Sequence, residues 1–270
     1  VFKGEGKWVE EYNSLKELLT PEEFRSAQAT VLNAHYTSQP VIEAMWKAAR
    51  HFGFTGGRVL EPAAGIGHFV GLMPDDVRGS RVTCIELDDI TGRIARALYP
   101  NADVRIQGFE DAKLIDDFYD IVISNVPFGD YQLAEEDYNK YKFYIHDHFI
   151  AKSIDKVRPG GIVMVITSSG TMNSERSAKL RAYANSKADF VGAIRLPSDA
   201  FKANAGTEVT TDIIVLRKRL PGEKPSGEAW MKTVPTGMKG KFGDILKNNE
   251  YYVEHPEMML GKLAEDKLYP

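Results

Sequence analysis

The sequence has almost no cysteine, no long hydrophobic run and no large excess of either charge. Cys84 is the single cysteine among 270 residues, which excludes a disulfide framework and a cysteine-rich zinc site and suits a reducing compartment. No apolar stretch approaches the roughly 20 residues that a membrane-spanning helix needs. A formal charge of −4 argues against a histone-like coating protein, although a local basic patch could still bind nucleic acid. We therefore expect a cytoplasmic globular protein that contacts no membrane and holds no metal.

Short runs of β-branched and apolar residues alternate with helical patterns after Gly56-Gly57. This alternation predicts right-handed βαβ units and a sheet covered by helices on both faces. The last two runs follow each other without a helix, so we expect one strand to be antiparallel. The predicted fold is α/β and Rossmann-like, with a mostly parallel sheet of seven strands at 58–61, 81–87, 103–107, 119–125, 161–167, 190–196 and 209–217.

Composition divides the chain into three predicted parts. Residues 1–36 form a polar helical extension, 37–219 contain the βαβ pattern, and 220–270 form a C-terminal extension or a linker to a further domain. The last part opens with a run rich in proline, glycine and lysine, which is typical of a boundary. The first residue is Val1 rather than methionine, so we expect the chain to be a piece of a longer protein.

A glycine-containing loop follows the first predicted strand. Gly65 and Gly67 allow a tight turn into a helix, where the backbone can approach a ligand without an intervening Cβ. Glu86 ends the next strand 21 residues after Gly65, the spacing at which an acidic side chain meets a ribose diol, and Leu87 could cover one face of an adenine. The loop lacks the third glycine of a dinucleotide-binding pattern, which favours a nucleoside such as S-adenosylmethionine. The alternative is that the two glycines merely shape a β–α turn.

The fourth predicted strand, 119–125, runs into Asn125-Val126-Pro127-Phe128. Ligands of open α/β sheets bind at the carboxyl ends of the strands, near the point where the strand order reverses. We therefore expect Asn125 to lie beside the glycine-containing loop. The alternative is that Asn125 shapes a turn by local hydrogen bonding and that Phe128 is a core aromatic.

Four segments, in this order, resemble those of γ-type adenine-N6 DNA methyltransferases. Asn125-Val126-Pro127-Phe128 is similar to their Asn-Pro-Pro-Tyr/Phe motif, and residues 60–69 are similar to their first motif. Residues 35–40 resemble the Tyr-Thr-Pro segment that precedes that motif, and 196–214 resemble a Leu-Pro…Phe…Gly-x-x-Thr-x-Ile stretch of type I modification subunits. The resemblance covers about residues 33–219 and extends to methylase modules of large phage and plasmid helicase–methylase proteins.

The resemblance implies S-adenosylmethionine as the cofactor and a defined set of site residues. Asn125 and the Val126 carbonyl would hold the target amine, while Phe128 and Phe201 would stack on the target base. The implied catalytic residues are Asn125, Val126, Pro127 and Phe128. The implied cofactor-binding residues are Thr37, Glu61, Pro62, Ala63, Gly65, Gly67, Phe69, Glu86, Leu87, Phe109, Glu110 and Asn125.

The chain departs from the family pattern at two places. Val126 stands where the motif has its first proline, a tolerable change because that residue contributes a backbone carbonyl in the family. The third-strand motif, usually Gly-Asp-Phe, reads Gly108-Phe109-Glu110. We prefer Glu110 to Asp111 as the acid that reaches the adenine amino group of the cofactor.

The implied function is methyl transfer to the N6 amino group of an adenine flipped out of double-stranded DNA, as in restriction-modification systems. Alternatives are methylation of RNA adenine, of cytosine N4 or of a protein glutamine, and a non-catalytic module of the same fold that binds DNA or a partner. Only about 50 residues follow Arg219, fewer than the family's target-recognition domain needs. We therefore expect specificity or helicase regions of the same larger polypeptide or complex as further partners.

One further pattern, His146-Asp147-His148, does not predict a metal site. Residues two apart on a helix point to different faces, so the two histidines could not share one ion. We expect this segment to form a solvated helical face.

Overall fold

A computed structural model describes residues 6–30, 37–198, 200, 210–239 and 245–261. The helices are α1 (Val9–Leu18), α2 (Pro21–Thr30), α3 (Gln39–His51), α4 (His68–Gly71), α5 (Asp89–Leu98), α6 (Glu136–Asn139), α7 (Ile145–Lys156), α8 (Gly170–Asn173), α9 (Ala178–Lys187) and α10 (Glu250–Glu254). The strands are β1 (Arg58–Glu61), β2 (Arg81–Glu86), β3 (Asp103–Ile106), β4 (Tyr119–Asn125), β5 (Val157–Ser168), β6 (Ala188–Arg195), β7 (Thr211–Lys218), β8 (Thr233–Lys239) and β9 (Ile245–Asn249). No helix in these ranges is long and apolar enough to cross a membrane.

Seven strands form one sheet in the order β3-β2-β1-β4-β5-β7-β6. All neighbours pair in parallel except β7, which is antiparallel to both β5 and β6. The strand order reverses between β1 and β4, and parallel strands present their carboxyl ends at one edge of the sheet. The predicted fold class, including the single antiparallel strand, is confirmed.

Alternating side chains give the sheet two apolar faces. Along β4, Ile121 and Ile123 face one layer while Val122 faces the other. The first layer is completed by α3 and α5, and the second by α7 and α9. Burial on both faces explains why the central strands read as nearly continuous apolar runs in the sequence.

Helix α7 is buried along most of its length, so the expected solvated face is wrong. His146 and His148 are only 7% and 1% exposed, and every residue from Ile145 to Ile154 is buried. One of its polar side chains has a partner from another segment: Nε2 of His148 lies 2.7 Å from Oε2 of the partly buried Glu135. The helix therefore brings a polar network into the core.

The chain beyond Arg219 packs against β6. The Trp230 ring stacks on Phe190 with centroids 4.6 Å apart, and Tyr251 meets Phe190 edge to face. Strands β8 and β9 form an antiparallel hairpin. The Asn249 amide anchors its base by donating to the carbonyls of Met172, at 2.7 Å, and Trp230, at 2.8 Å. Residues 220–239 and 245–261 thus add to the core, while the boundaries at 36/37 and 219/220 remain predictions.

Candidate active site

A cleft of about 240 Å³ opens at the carboxyl ends of β1, β2, β3 and β4. This is the edge at which the strand order reverses, the place where ligands of open α/β sheets bind. The cleft is lined by Thr37, Glu61, Pro62, Ala63, Ala64, Gly65, Ile66, His68, Phe69, Glu86, Leu87, Asp88, Thr91, Gln107, Gly108, Phe109, Glu110, Asn125, Pro127, Tyr131, Leu133, Ile145 and Phe149. The glycine-containing loop and the Asn-Val-Pro-Phe segment therefore meet, as predicted from the sheet topology.

Glu86 ties the loops after β1 and β2 together. Its Oε2 accepts a hydrogen bond from the Gly65 N–H at 2.7 Å, and its Oε1 accepts one from the Asp88 N–H at 2.8 Å. Gly65 adopts a left-handed conformation, with φ of 57°, that presents this N–H. Each carboxylate oxygen can accept more than one hydrogen bond, so a ribose diol can be bound without breaking these two.

Glu61 places a second carboxyl group in the cleft, deep at the end of β1. The residue is 2% exposed, and its Oε2 is buried with no hydrogen-bond partner among the described residues. Burial, reinforced by repulsion from Glu86, raises the pKa of Glu61 well above its usual value. A buried carboxylate in this state is suited to a positively charged ligand, which would supply the missing counter-charge.

Gly67 does not line the cleft, although we expected it beside the cofactor. Its φ of 83° is left-handed, and a Cβ there would lie 2.4 Å from Cε2 of Tyr99. A glycine is therefore needed so that the end of α5 can pack against the start of α4. Of the two glycines, Gly65 lines the cleft and Gly67 serves packing.

Asn125, the last residue of β4, reaches the cleft with a defined orientation. Its Nδ2 donates a hydrogen bond to Oγ1 of Thr37, 3.2 Å away, and Thr37 is 5% exposed. The two residues are 88 positions apart in the sequence. With Nδ2 directed at Thr37, the Oδ1 edge of the amide is turned away from that residue.

Val126 extends the pairing of β4 with β5 and is buried. Its N–H donates to the carbonyl of Ile166 at 3.0 Å, a bond that a proline at this position could not make. This hydrogen bond fixes the backbone at Val126, the position where the proline ring of the family motif would restrict it. Pro127 lines the cleft, whereas Phe128 is half-buried outside the lining. Phe201, the expected second stacking residue, lies outside the described residues.

A buried lysine joins the two halves of the cleft wall. Nζ of Lys152, on α7, donates to the carbonyl of Phe109 at 2.6 Å and lies 2.7 Å from Oε1 of Glu135. Phe109 belongs to the loop after β3, and Glu135 belongs to the loop that follows the Asn-Val-Pro-Phe segment. Partial burial acts to raise the pKa of Glu135, but the hydrogen bonds with His148 and Lys152 outweigh it and lower that pKa below its usual value. Glu110, the acid that we expect to reach the adenine amino group of the cofactor, follows Phe109 in the cleft lining.

Several lining residues were missed because they carry no motif of their own. Gln107 and Gly108 follow β3 directly, so the rule that ligands meet strand ends could have found them. Asp88 caps α5, accepting from the Thr91 N–H at 2.8 Å, and a capping pattern after a strand was the available signal. Tyr131 belongs to an aromatic-rich loop after the Asn-Val-Pro-Phe segment, and Phe149 lies on α7; no local pattern connects either residue with the glycine-containing loop. The described residues contain no cluster of His, Cys, Asp or Glu that could hold a metal.

The strand order, the antiparallel β7 and the cleft between β1 and β4 define the class: this is the fold of S-adenosylmethionine-dependent methyltransferases. A class I methyltransferase of this kind from Listeria monocytogenes superposes with a TM-score of 0.58 at 19% identity, over 84% of this chain and 80% of that one. A modification subunit of a type I restriction enzyme from Vibrio vulnificus YJ016 superposes with a TM-score of 0.59 at 17% identity, over 92% and 57%. At these identities the likeness concerns the fold alone.

Comparison of the amino-acid sequence with known families and proteins identifies relatives within this class. Residues 85–196 match the model of the Eco57I restriction-modification methylase family. Over 198 residues the chain is 34% identical to the "Defense against restriction protein B" of Escherichia phage P1, a match that spans 69% of the chain and 8% of the phage protein. The chain therefore belongs to the family of this phage protein, of whose length it spans 8%, and the resemblance to restriction-modification adenine-N6 methyltransferases inferred from its motifs is confirmed.

The fold implies S-adenosylmethionine, and the residues of the cleft fit this cofactor. The buried Oε2 of Glu61, without a partner in the described ranges, suits a cationic group. Glu86 retains acceptor capacity for hydroxyl groups, and the apolar side chains of Phe69, Phe109 and Phe149 can enclose a planar base. The roles of the individual residues are proposals.

Proposed function

We propose that this domain transfers a methyl group from S-adenosylmethionine to the N6 amino group of an adenine in DNA. The observation that carries the proposal is the placement of Asn125 in the same cleft as Glu61 and Glu86, with its amide oriented by Thr37. An asparagine that only shaped a turn would not need a buried hydroxyl 88 residues away to orient its side chain.

The cofactor half of the cleft is formed by charged and apolar side chains with separate roles. The Glu86 carboxylate would accept the ribose hydroxyls, and Glu61 would face positive charge. Glu110 would meet the adenine amino group, with Leu87 and Phe109 on the faces of the ring. When bound, S-adenosylmethionine supplies a methyl group attached to a positively charged sulfur. Thr37, Pro62, Ala63, Gly65 and Phe69 complete the lining that holds it.

The substrate half of the cleft would orient an amine that is a poor nucleophile. The lone pair of an adenine amino group is delocalised into the ring, so the nitrogen must become pyramidal before it can accept a methyl group. Oδ1 of Asn125 and the carbonyl of Val126 would each accept one N–H of that amine. These two acceptors would direct the lone pair and stabilise the positive charge that develops on nitrogen.

An adenine of a duplex would have to flip out to enter this cleft, because a base that is stacked and paired cannot reach an enzyme's pocket. Pro127 and Phe128 would contact the flipped base, and an aromatic face contributes about 1–3 kcal/mol per stacked base. Support for DNA as the substrate comes from the restriction-modification match of residues 85–196. We also propose that specificity or helicase regions of a larger polypeptide or complex select the target sequence.

The decisive experiment is tritium transfer from labelled S-adenosylmethionine to DNA, RNA and protein in parallel, followed by identification of the modified nucleoside or residue. Label in N6-methyladenine of DNA alone is the expected result. Label in N4-methylcytosine, RNA or glutamine would replace the proposed substrate by one of the alternatives. Saturable cofactor binding without transfer to any of them would indicate a non-catalytic module.

Asn125→Ala tests the proposed role of the amide. Because Asn125 is assigned to the amine, cofactor affinity should stay near wild type while the rate falls about 10²–10³-fold, the usual loss for one preorganised hydrogen bond. Asn125→Asp keeps an acceptor oxygen and should retain partial activity. Asn101→Ala, at an exposed asparagine, is the control for effects of the substitution itself. If Asn125→Gly is active and Asn125→Ala is merely unstable, the residue shapes a turn and the assignment is wrong.

A further inference from the structure

The β8–β9 hairpin stands at the same edge of the sheet as the cleft. Its base contacts α8, the helix that follows β5 directly, and the carboxyl end of β5 pairs with Asn125 through Ile166. The Arg195 guanidinium, at the carboxyl end of β6, donates to Oδ1 of Asn248 at 2.9 Å and forms a buried, two-bonded ion pair with Asp212. The hairpin is therefore fixed to the catalytic edge by buried polar contacts rather than by a flexible tether.

The register of the hairpin places two lysines on one exposed face. Pro235 lies opposite Lys247, and Lys239 lies opposite Ile245. Residues directly opposite in an antiparallel pair share a face, as do residues two apart in one strand. All four of these residues are exposed, whereas Thr233 and the buried Asn249, paired on the same side at the root, join the hairpin to the sheet edge. Beyond that root, this face carries two cations and two apolar side chains and no acidic residue within the described strands.

The face continues toward the cleft through Arg176. At the root of the hairpin, Oγ1 of Thr233 lies 3.4 Å from Oε1 of Glu175. The next residue, Arg176, is exposed, and its guanidinium lies 5.8 Å from the ring of Tyr144, in the loop that leads from the Asn-Val-Pro-Phe segment to α7. We call Arg176, Lys239 and Lys247 the basic strip. Two acidic residues lie at the root of the strip. Glu175 accepts a hydrogen bond from the Thr233 hydroxyl, and Glu250 accepts one from the Lys232 N–H.

We propose that the basic strip binds the phosphate backbone of the duplex whose base enters the cleft. The proposal rests on the proposed function, because it assigns a surface for the DNA of that reaction. The net charge of the whole chain is −4, whereas this surface carries three cations against the two acids at its root, so the local excess of charge is positive. Local charge of this kind, rather than total charge, determines binding to polyanions. Ile245 and Pro235 would contact the sugar edge between phosphates, as short apolar side chains can without hydrogen-bonding groups.

The test is binding of a fluorescent duplex oligonucleotide, measured by anisotropy as a function of salt. Lys239→Gln/Lys247→Gln should weaken binding about tenfold near 0.1 M salt and reduce the slope of log K against log salt by about 2, since each phosphate contact contributes about 0.9. The matched control is Arg81→Gln/Lys113→Gln, which removes the same charge from exposed positions at the opposite edge of the sheet and should change both quantities little.

Equal effects of the two double variants, an unchanged slope, or no measurable duplex binding by the wild-type chain would overturn the proposal. An equal loss of binding to poly-glutamate would also overturn it, by showing a general polyanion surface. Because binding is measured without methyl transfer, the two proposals can fail separately. DNA methylation that is insensitive to Lys239 and Lys247 would reject the strip alone. Strip-dependent duplex binding without any DNA methylation would reject the proposed reaction alone.

Discussion

Replacing the buried carboxylate of Glu61 should change protein stability and cofactor affinity in opposite directions. In the ligand-free protein, Glu61→Gln removes a titratable carboxyl group that is 2% exposed and whose Oε2 has no hydrogen-bond partner among the described residues. In the complex, the same substitution removes the negative charge that we assign to the cationic part of the cofactor. When a residue serves function at a cost in stability, its replacement is expected to raise the stability and weaken the binding of the ligand.

The magnitudes follow from the environment of the carboxyl group. A buried polar atom left without a partner costs about 1–3 kcal/mol, and more when it is charged. The neutral amide of Gln removes only part of this free-energy cost. We therefore expect Glu61→Gln to raise the free energy of unfolding by about 1 kcal/mol, or the melting temperature by about 3 °C. Loss of a charge-assisted contact of about 1.5–3 kcal/mol should weaken cofactor binding roughly ten- to hundredfold.

The pH dependence gives an independent check of the same reasoning. The pKa of Glu61 is raised in the folded protein by burial and by Glu86, above its unfolded value near 4.5. Between these two pKa values the folded state binds more protons than the unfolded state, so the stability of the ligand-free protein falls as pH rises through that window. Glu61→Gln should abolish this contribution. Cofactor affinity should change in the opposite sense, rising with pH as Glu61 becomes ionised.

The assays are thermal unfolding of the ligand-free protein across pH 4 to 8 and calorimetric titration with S-adenosylmethionine. Glu22→Gln, on the exposed face of α2, is the control and should leave both quantities unchanged. A Glu61→Gln protein that is less stable than wild type at neutral pH would show that the carboxylate has a stabilising partner. Unchanged affinity would remove Glu61 from the cofactor site.

Three further predictions follow from other contacts. Lys152→Met should lower the free energy of unfolding, measured by urea denaturation, by about 3 kcal/mol because it leaves Glu135 without its buried cation. The control Lys156→Met removes a lysine whose partner is on the surface and should lower the free energy of unfolding by less than about 1 kcal/mol. In a tritium-transfer assay, Thr37→Ser should preserve the rate of methyl transfer and Thr37→Val should reduce it about tenfold, because the Thr37 hydroxyl accepts the hydrogen bond from Asn125. Equal rates for the two variants would show that the hydroxyl does not have this role. Trp230→Ala should lower stability by about 3–5 kcal/mol, and a loss below about 1 kcal/mol would mean that the chain beyond Arg219 does not share the core.

Local pattern was sufficient to place most of the regular elements. The predicted strand 119–125 matches β4 at both ends, and α3 buries Ile42, Met45, Trp46 and Ala49, which recur at helical spacing in the sequence. A capping box precedes α2, with the Glu23 N–H donating to Oγ1 of Thr20 at 3.2 Å and the Thr20 N–H donating to Oε2 of Glu23 at 2.8 Å. These features depend on residues within a few positions of one another. Their period and chemistry are therefore visible in the sequence.

The hairpin and α10 were not predicted, because their aromatic residues show no helical or strand period. Trp230 and Tyr251 are buried only because Phe190, on β6, offers a ring to stack against. The same reason explains the error at α7. Residues 146–148 look like a solvated face in the sequence, but Glu135, from a preceding loop, is the hydrogen-bond partner of His148 and the ion-pair partner of Lys152.

The sequence, with the family resemblance that its motifs carry, named the residue types of the candidate site: acids at the ends of β1 and β2, a glycine that can turn the chain, and an asparagine at the end of a buried strand. Sheet topology explains why they converge, since parallel strands end at one edge and the order reverses between β1 and β4. Which glycine lines the cleft was decided by Tyr99, which fills the space at Gly67. The direction of the Asn125 amide was decided by Thr37, 88 residues earlier. Such contacts join segments that share no local pattern, and only the packed chain brings them within hydrogen-bonding or van der Waals distance.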